Sequence, residues 1–304
     1  MMNLLGLNQK TYSLFSMMIC LCIMSLVLMS CNVEGRGQDL TSNNQEINAS
    51  KFEDRAPKAA DESTQKNTDV KAASAKERKA EPPEKVKGDP AAVDYQNPTK
   101  YLISGKLTEI SEENFNAIDR LLNIKSKEFS DIQKVFSWKH KNFKNVSAGG
   151  KFVGKLNVNE IIEKMELTGC HDHAIVVGSI LRKYAFPVVM VDATGIQWSY
   201  DYPEKTKTFS GHVFLEICLK DRWILLDPTG GYYILEYEPN NRVIPISTPI
   251  EPKGYYSILK GLDPNDYGVD SISQLKEKQI EYSKLFHNNS IEVKYPEYKV
   301  KKLN

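Results

Sequence analysis

Three residues stand in an order that makes thiol acyl-transfer chemistry available: Cys170, His212 and Asp227. Cys170 follows Thr168-Gly169 and leads the run CHDHAIVVGSILRKY, whose apolar content predicts a helix from Cys170 to about Tyr184. A cysteine at a helix N-terminus meets unpaired backbone N–H groups and the positive end of the helix dipole, and both favour the nucleophilic thiolate. The same N–H groups can face the oxyanion of a tetrahedral intermediate. A nucleophile of this kind needs a base within hydrogen-bond reach and a third group to orient that base.

His212 opens the stretch HVFLEICL, and Asp227 closes WILLD after the turn Lys220-Asp221-Arg222. A hairpin of those lengths brings its ends side by side, so His212 and Asp227 should be neighbours. The expected arrangement has Asp227 accepting the Nδ1 proton while Nε2 faces the sulfur. His171 adjoins the nucleophile and either perturbs the thiolate or faces solvent. Cys170, His171 and His173 also raise a metal reading, but no partner Cys-x-x-Cys or His-x-x-x-His occurs. No calcium-loop pattern is visible, so neither a metal nor a cofactor is expected. Trp138 and Gln133 are the candidates for an oxyanion side chain, with Trp138 as readily a core aromatic. Asp172 suits the start of its helix, Cys218 suits the core, and His140 and His287 sit in lysine-rich surroundings that imply exposure.

The elements that must position these groups come in two halves. Helix starts are expected at Ser111, ahead of Phe115, Ile118, Leu121 and Leu122; at the capping-box pattern beginning with Ser130; at Asn157 to Glu160; and at Cys170. Strands follow at Val188–Val191, His212–Leu219, Trp223–Leu226 and Tyr232–Leu235, then a C-terminal helix over 271–286 capped by Ser271 or Ser273. Helices first and antiparallel strands afterwards give an α+β domain.

The three blocks GCHDHAIVVGSILRKYAFPVVMV, GHVFLEI and RWILLDPTGGY, in that order between Gly169 and Tyr232, resemble the transglutaminase-like superfamily. The resemblance implies a papain-like core, a Cys170–His212–Asp227 triad and a protein or peptide substrate attacked at an amide bond. It leaves peptidase, amidase and transglutaminase chemistry open. A catalytically silent domain used as a surface binding or scaffold module is the alternative, and the aromatic segment TGIQWSYDYPEKTKTF motivates it.

The rest of the 304-residue chain describes delivery. Residues 13–30 form the apolar run SLFSMMICLCIMSLVLMS with Lys10 upstream, and Leu28-Met29-Ser30-Cys31 resembles a bacterial lipobox. This implies a signal peptide over 1–30, lipidation at Cys31 and export to the bacterial cell envelope, facing the periplasm or the surface. Several acyl chains anchor stably, since each buried methylene contributes about 0.8 kcal/mol. Residues 31–95, rich in Lys, Glu, Ala and Pro, lack the apolar surface to offset ordering entropy and read as a disordered tether. The globular domain is then 96–304. Its partners are the membrane, through the anchor, and a peptide substrate. A net charge of +1 gives no electrostatic case for nucleic acid, and oligomeric state is not legible. Once the leader is removed, Cys170 and Cys218 are the thiols of the globular part, too few for a disulfide framework.

Overall fold

The computed structural model describes residue 89 and residues 92–303, apart from residue 147. The leader, Cys31 and nearly all of the tether lie outside the described residues. Among the described residues, no helix is long and apolar enough to cross a membrane.

Among the described residues there are six α-helices and nine strands, several of them announced by local signals. Helix α1 (Glu112–Leu122) is capped by Ser111, whose hydroxyl accepts from the Asn114 N–H. Helix α2 (Phe129–Asn142) begins earlier than expected. Its cap is Glu128 rather than Ser130, because Asp131 occupies the third position and completes the reciprocal box. After the short strand β1 (Lys144–Asn145), α3 (Val158–Lys164) takes Asn157 and Glu160 as its capping box, as the sequence predicts. Strand β2 (Glu166–Leu167) pairs with β1 and leads into α4 (Cys170–Lys183). Leu121, expected on the apolar face of α1, is instead 71% exposed, while Ile118 is buried.

The remaining strands form one antiparallel sheet in the order β7-β8-β3-β4-β5-β6-β9. They are β3 (Val188–Gly195), β4 (Gly211–Leu219), β5 (Arg222–Leu226), β6 (Tyr232–Ile234), β7 (Val243–Ile244), β8 (Tyr255–Gly261) and β9 (Lys301–Lys302). Lys220 and Asp221, both at positive φ, make the two-residue turn between β4 and β5. The short helix α5 (Ile196–Asp201) follows β3, and α6 (Ile272–His287), capped by Ser271, follows β8. Helices beside a curled antiparallel sheet give the α+β class.

Alternation decides what each sheet face meets. Met190, Val213, Leu215, Ile217 and Ile224 pack with the fully buried Ile175, Val176 and Ile180 of α4 in the main core. Val191, Ala193, Phe214, Leu225 and Tyr255 form a second core on the opposite face. The folded body extends below residue 96: Val93 and Tyr95 pack on Trp223, and Asp89 pairs with Arg242 at 2.9 Å. Composition places the expected domain edge at residue 96, and these contacts bring Asp89, Val93 and Tyr95 into the folded body. Tyr95 is an aromatic that the adjacent polar run conceals.

Candidate active site

Cys170 is the first residue of α4, and Gly169 holds the cap in an extended conformation. The glycine is required by crowding. A Cβ there would lie 2.8 Å from the Gly150 Cα, so the Gly149–Gly150 turn can press against the start of the helix. That turn is tied down by the Gly150 N–H donating to the Thr168 carbonyl at 2.9 Å. Asp172 accepts from the Thr168 N–H at 2.6 Å and from its hydroxyl at 2.7 Å. It thus braces the entry to the helix, and burial raises its pKa.

The sulfur opens into a cleft of about 440 Å³. His212, Phe209 and Gly149 line it together with Ile272, Lys276 and Gln279 of α6. His212 stands at the start of β4 and Asp227 just past β5. The register Leu215↔Leu226 makes them diagonal neighbours. The His212 Nε2 and the Asp227 Oδ1 are 2.8 Å apart. The same carboxylate oxygen accepts from the backbone N–H groups of Thr229 (2.8 Å) and Gly230 (2.9 Å). The ring orientation is the reverse of the expected one. With Nε2 on Asp227, Nδ1 is the nitrogen left for the thiol. The reason is geometric: the imidazole is edge-on to Phe214 and lies against Tyr255, which fixes which edge meets the carboxylate.

His171 does not face solvent. It is buried, with its Nδ1 3.9 Å from the Cys170 sulfur and its Nε2 3.0 Å from the Asp192 Oδ2. The Tyr267 hydroxyl donates to the same Asp192 oxygen. Asp192 lies on β3 where the pairing with β8 shifts register between Asp192 and Ala193. Such irregularities re-aim side chains beside functional sites. Neither Asp192 nor Tyr267 is marked by local sequence, because their link to the nucleophile runs through tertiary contact.

The electrostatics follow from this arrangement. Burial alone would raise the Cys170 pKa; hydrogen bonding to His171 and then to His212, with their charges, outweighs it and brings it to about 6. Burial would depress His212, but the Asp227 hydrogen bond and the thiol opposite lift it to about 10. The same push and pull holds Asp227 below its ordinary range: burial raises it, while His212 and the two backbone N–H groups lower it further.

Behind the pair, Lys139 is fully buried. Its Nζ donates to the Pro228 carbonyl at 2.7 Å and lies 3.0 Å from the His173 Nδ1. Burial, tempered by the Asp227 charge, lowers Lys139 to about 8. His173 falls to about 3, from burial and then from Lys139. His173 therefore anchors α4 to α2 and to the Asp227-Pro228 turn, and does not join Cys170 and His171 in a ligand set. Among the described residues, no three metal-ligating side chains converge.

Trp138 and Gln133 do not line the cleft. Trp138 packs edge-on against Phe143, and its buried indole N–H has no acceptor. The side-chain amide that does reach the cleft is Gln279, buried against Gly211, where a Cβ would meet its Nε2 at 2.0 Å. Of the aromatic segment after β3, Trp198 packs inward while Tyr200 is exposed. Trp198 is buried, donates to the Thr208 carbonyl at 2.6 Å and stacks with Tyr202 and Phe209. It forms one wall of the cleft and leaves the sulfur open to it. Cys218 is a buried free thiol, as expected, and His140 and His287 are exposed.

No family model matches the chain, and no curated protein matches it. Among solved structures it is similar to a "putative cysteine protease" from Cytophaga hutchinsonii, at 16% identity and a TM-score of 0.41. The alignment covers 59% of this chain and 51% of that one, so the chain spans about half of that protein's length.

Proposed function

We propose that this chain is a membrane-anchored thiol acyl-transfer enzyme with a papain-like, transglutaminase-like core, acting on peptide or side-chain amide bonds. One observation carries the reading: Cys170 heads a helix inside an open cleft, with a carboxylate-bound imidazole able to take its proton. The three sequence blocks that resemble the transglutaminase-like superfamily support it, since they supply this nucleophile, this histidine and this aspartate. Cys170 gives its proton to His212, and the thiolate attacks the carbonyl carbon. Backbone N–H groups at the head of α4 face the oxyanion. Collapse of the intermediate breaks the C–N bond, and His212 returns the proton to the departing amine. The thioester is then resolved by water or by an acceptor amine, with His212 as the base. Lipidation at Cys31 and the polar tether would hold this domain at the cell envelope. A Cys31→Ser chain expressed in a bacterial host should then move from the membrane fraction to the soluble one.

Mass spectrometry of a peptide library incubated with the wild type and with Cys170→Ala tests the chemistry. Cleavage, deamidation and cross-linking leave different mass changes, and the reading expects one of them in the wild type alone. Identical spectra for the two proteins would overturn it.

A further inference from the structure

The triad reading uses one histidine, yet two imidazoles converge on the sulfur. His171 approaches at 3.9 Å through Nδ1, and its far nitrogen is held by Asp192, which Tyr267 also engages. This second chain of donors and acceptors mirrors His212–Asp227, reaches the same cleft and is almost wholly withdrawn from solvent. We propose that His171 is a second catalytic imidazole, one that pairs with the Cys170 thiolate before attack and again as the acyl group leaves, with Asp192 and Tyr267 as its positioning residues. The inference rests on the reading of Cys170 as the nucleophile.

The two imidazoles have different tasks. His212 must alternate between its protonated and neutral forms, because it takes the thiol proton and then gives it to the leaving amine. His212 is neutral only in the acyl-enzyme, while the sulfur is bonded to carbon and carries no charge. His171 takes no part in that proton transfer, so with Asp192 compensating its charge it is already in place when the thiolate re-forms. The effect is largest when the acyl-enzyme is resolved. Water loses a proton to His212, the C–O bond forms and the C–S bond breaks. The electron pair stays on sulfur as a thiolate facing the His171 imidazolium, so no proton has to reach the sulfur first. A better-stabilised thiolate is also a faster leaving group.

The charged surroundings of His171 fit this assignment. Asp192 faces it from β3, Tyr267 and then Asp263 from the segment after β8, and Cys170 and Asp172 from its own helix. Across the cleft stand His212 on β4 and Lys276 on α6. Burial would make His171 neutral, but the Asp192 charge and hydrogen bond lift its pKa well above the ordinary imidazole value.

The test is the pH dependence of Cys170 alkylation by iodoacetamide, followed in full-length wild type, His171→Gln, Asp192→Asn, Tyr267→Phe and His212→Gln. The proposal expects His171→Gln and Asp192→Asn to raise the alkylation midpoint by about one pH unit or more, a roughly tenfold loss of thiolate below the new midpoint. Tyr267→Phe removes one hydroxyl from the buried chain and should shift the midpoint in the same direction even if the other two variants fold poorly. His212→Gln should abolish turnover while part of the low midpoint survives. A low wild-type midpoint left unmoved in folded His171→Gln and Tyr267→Phe would overturn this inference alone. A wild-type midpoint near that of an ordinary thiol would overturn the nucleophile reading, and this inference with it.

Discussion

At the scale of single residues, the site is a contest between burial and pairing. A thiol withdrawn from water prefers to stay protonated, and an imidazole withdrawn from water prefers to stay neutral. Cys170 and His212 reverse both tendencies: His171 and then His212 oppose burial at the sulfur, and Asp227 and then Cys170 oppose it at His212. The carboxylate matters through its charge, since its contacts to Thr229 and Gly230 already fix its position. Asp227→Asn keeps an oxygen for those contacts and removes the charge. We expect it to fold and to lose on the order of 10²–10⁴-fold in kcat, the range for a disabled general base. A steady-state assay together with a thermal melt checks this; full activity in a folded variant would contradict it. Cys170, His212 and Asp227 were legible because each sits at the boundary of an element that the sequence announces. The ring edge presented by His212 was not, since Phe214 and Tyr255 decide it and Tyr255 lies on a strand 43 residues away.

At the scale of elements, the site is assembled from the head of one helix and the ends of one hairpin, with a glycine where they are most crowded. The α4 helix, the β4–β5 turn and the Asn157 cap were readable from periodicity and turn chemistry. Strand β8 was not anticipated. It pairs with β3, some 60 residues earlier, although Tyr255, Tyr256 and Ile258 between Gly254 and Gly261 form the bounded run that marks a strand. Its absence from the sequence reading also hid the shifted register that presents Asp192 to His171. Gly169 gives a test at this scale. Gly169→Ala would bring a Cβ within 2.8 Å of the Gly150 backbone, so the turn or the helix start must move. We expect a loss of about 1–3 kcal/mol in stability. We also expect slower Cys170 alkylation, because the helix N–H groups no longer meet the sulfur in place. Denaturant unfolding with parallel labelling measures both; an unchanged labelling rate would show that the turn is not part of the site.

At the scale of the whole molecule, composition separates an apolar N-terminal run and a polar stretch from a folded domain, and that division is the coarsest thing the sequence states. Its inner edge was misplaced because Tyr95 closes a buried cluster visible only in three dimensions. The Tyr95 hydroxyl donates to Glu216 at 2.8 Å and accepts from Lys260 at 2.7 Å, while Lys260 and Glu216 pair at 2.6 Å, both fully buried. The last residue assigned to the polar run thus ties itself to the sheet face that lies opposite α4. Everything the domain is proposed to do depends on the ionisation of one sulfur. The thiol pKa is depressed from 9.0 to about 6, so the thiolate should appear as pH rises through about 6 and remain at higher pH, while the His212 proton needed by the leaving amine is lost only above about 10. The direct measurement is the rate of iodoacetamide alkylation at Cys170 in the wild-type protein from acid to alkaline pH, located by mass spectrometry. The account predicts a midpoint near 6 and rapid labelling at pH 7; a midpoint near 9, with Cys170 no more reactive than an ordinary thiol, would contradict it.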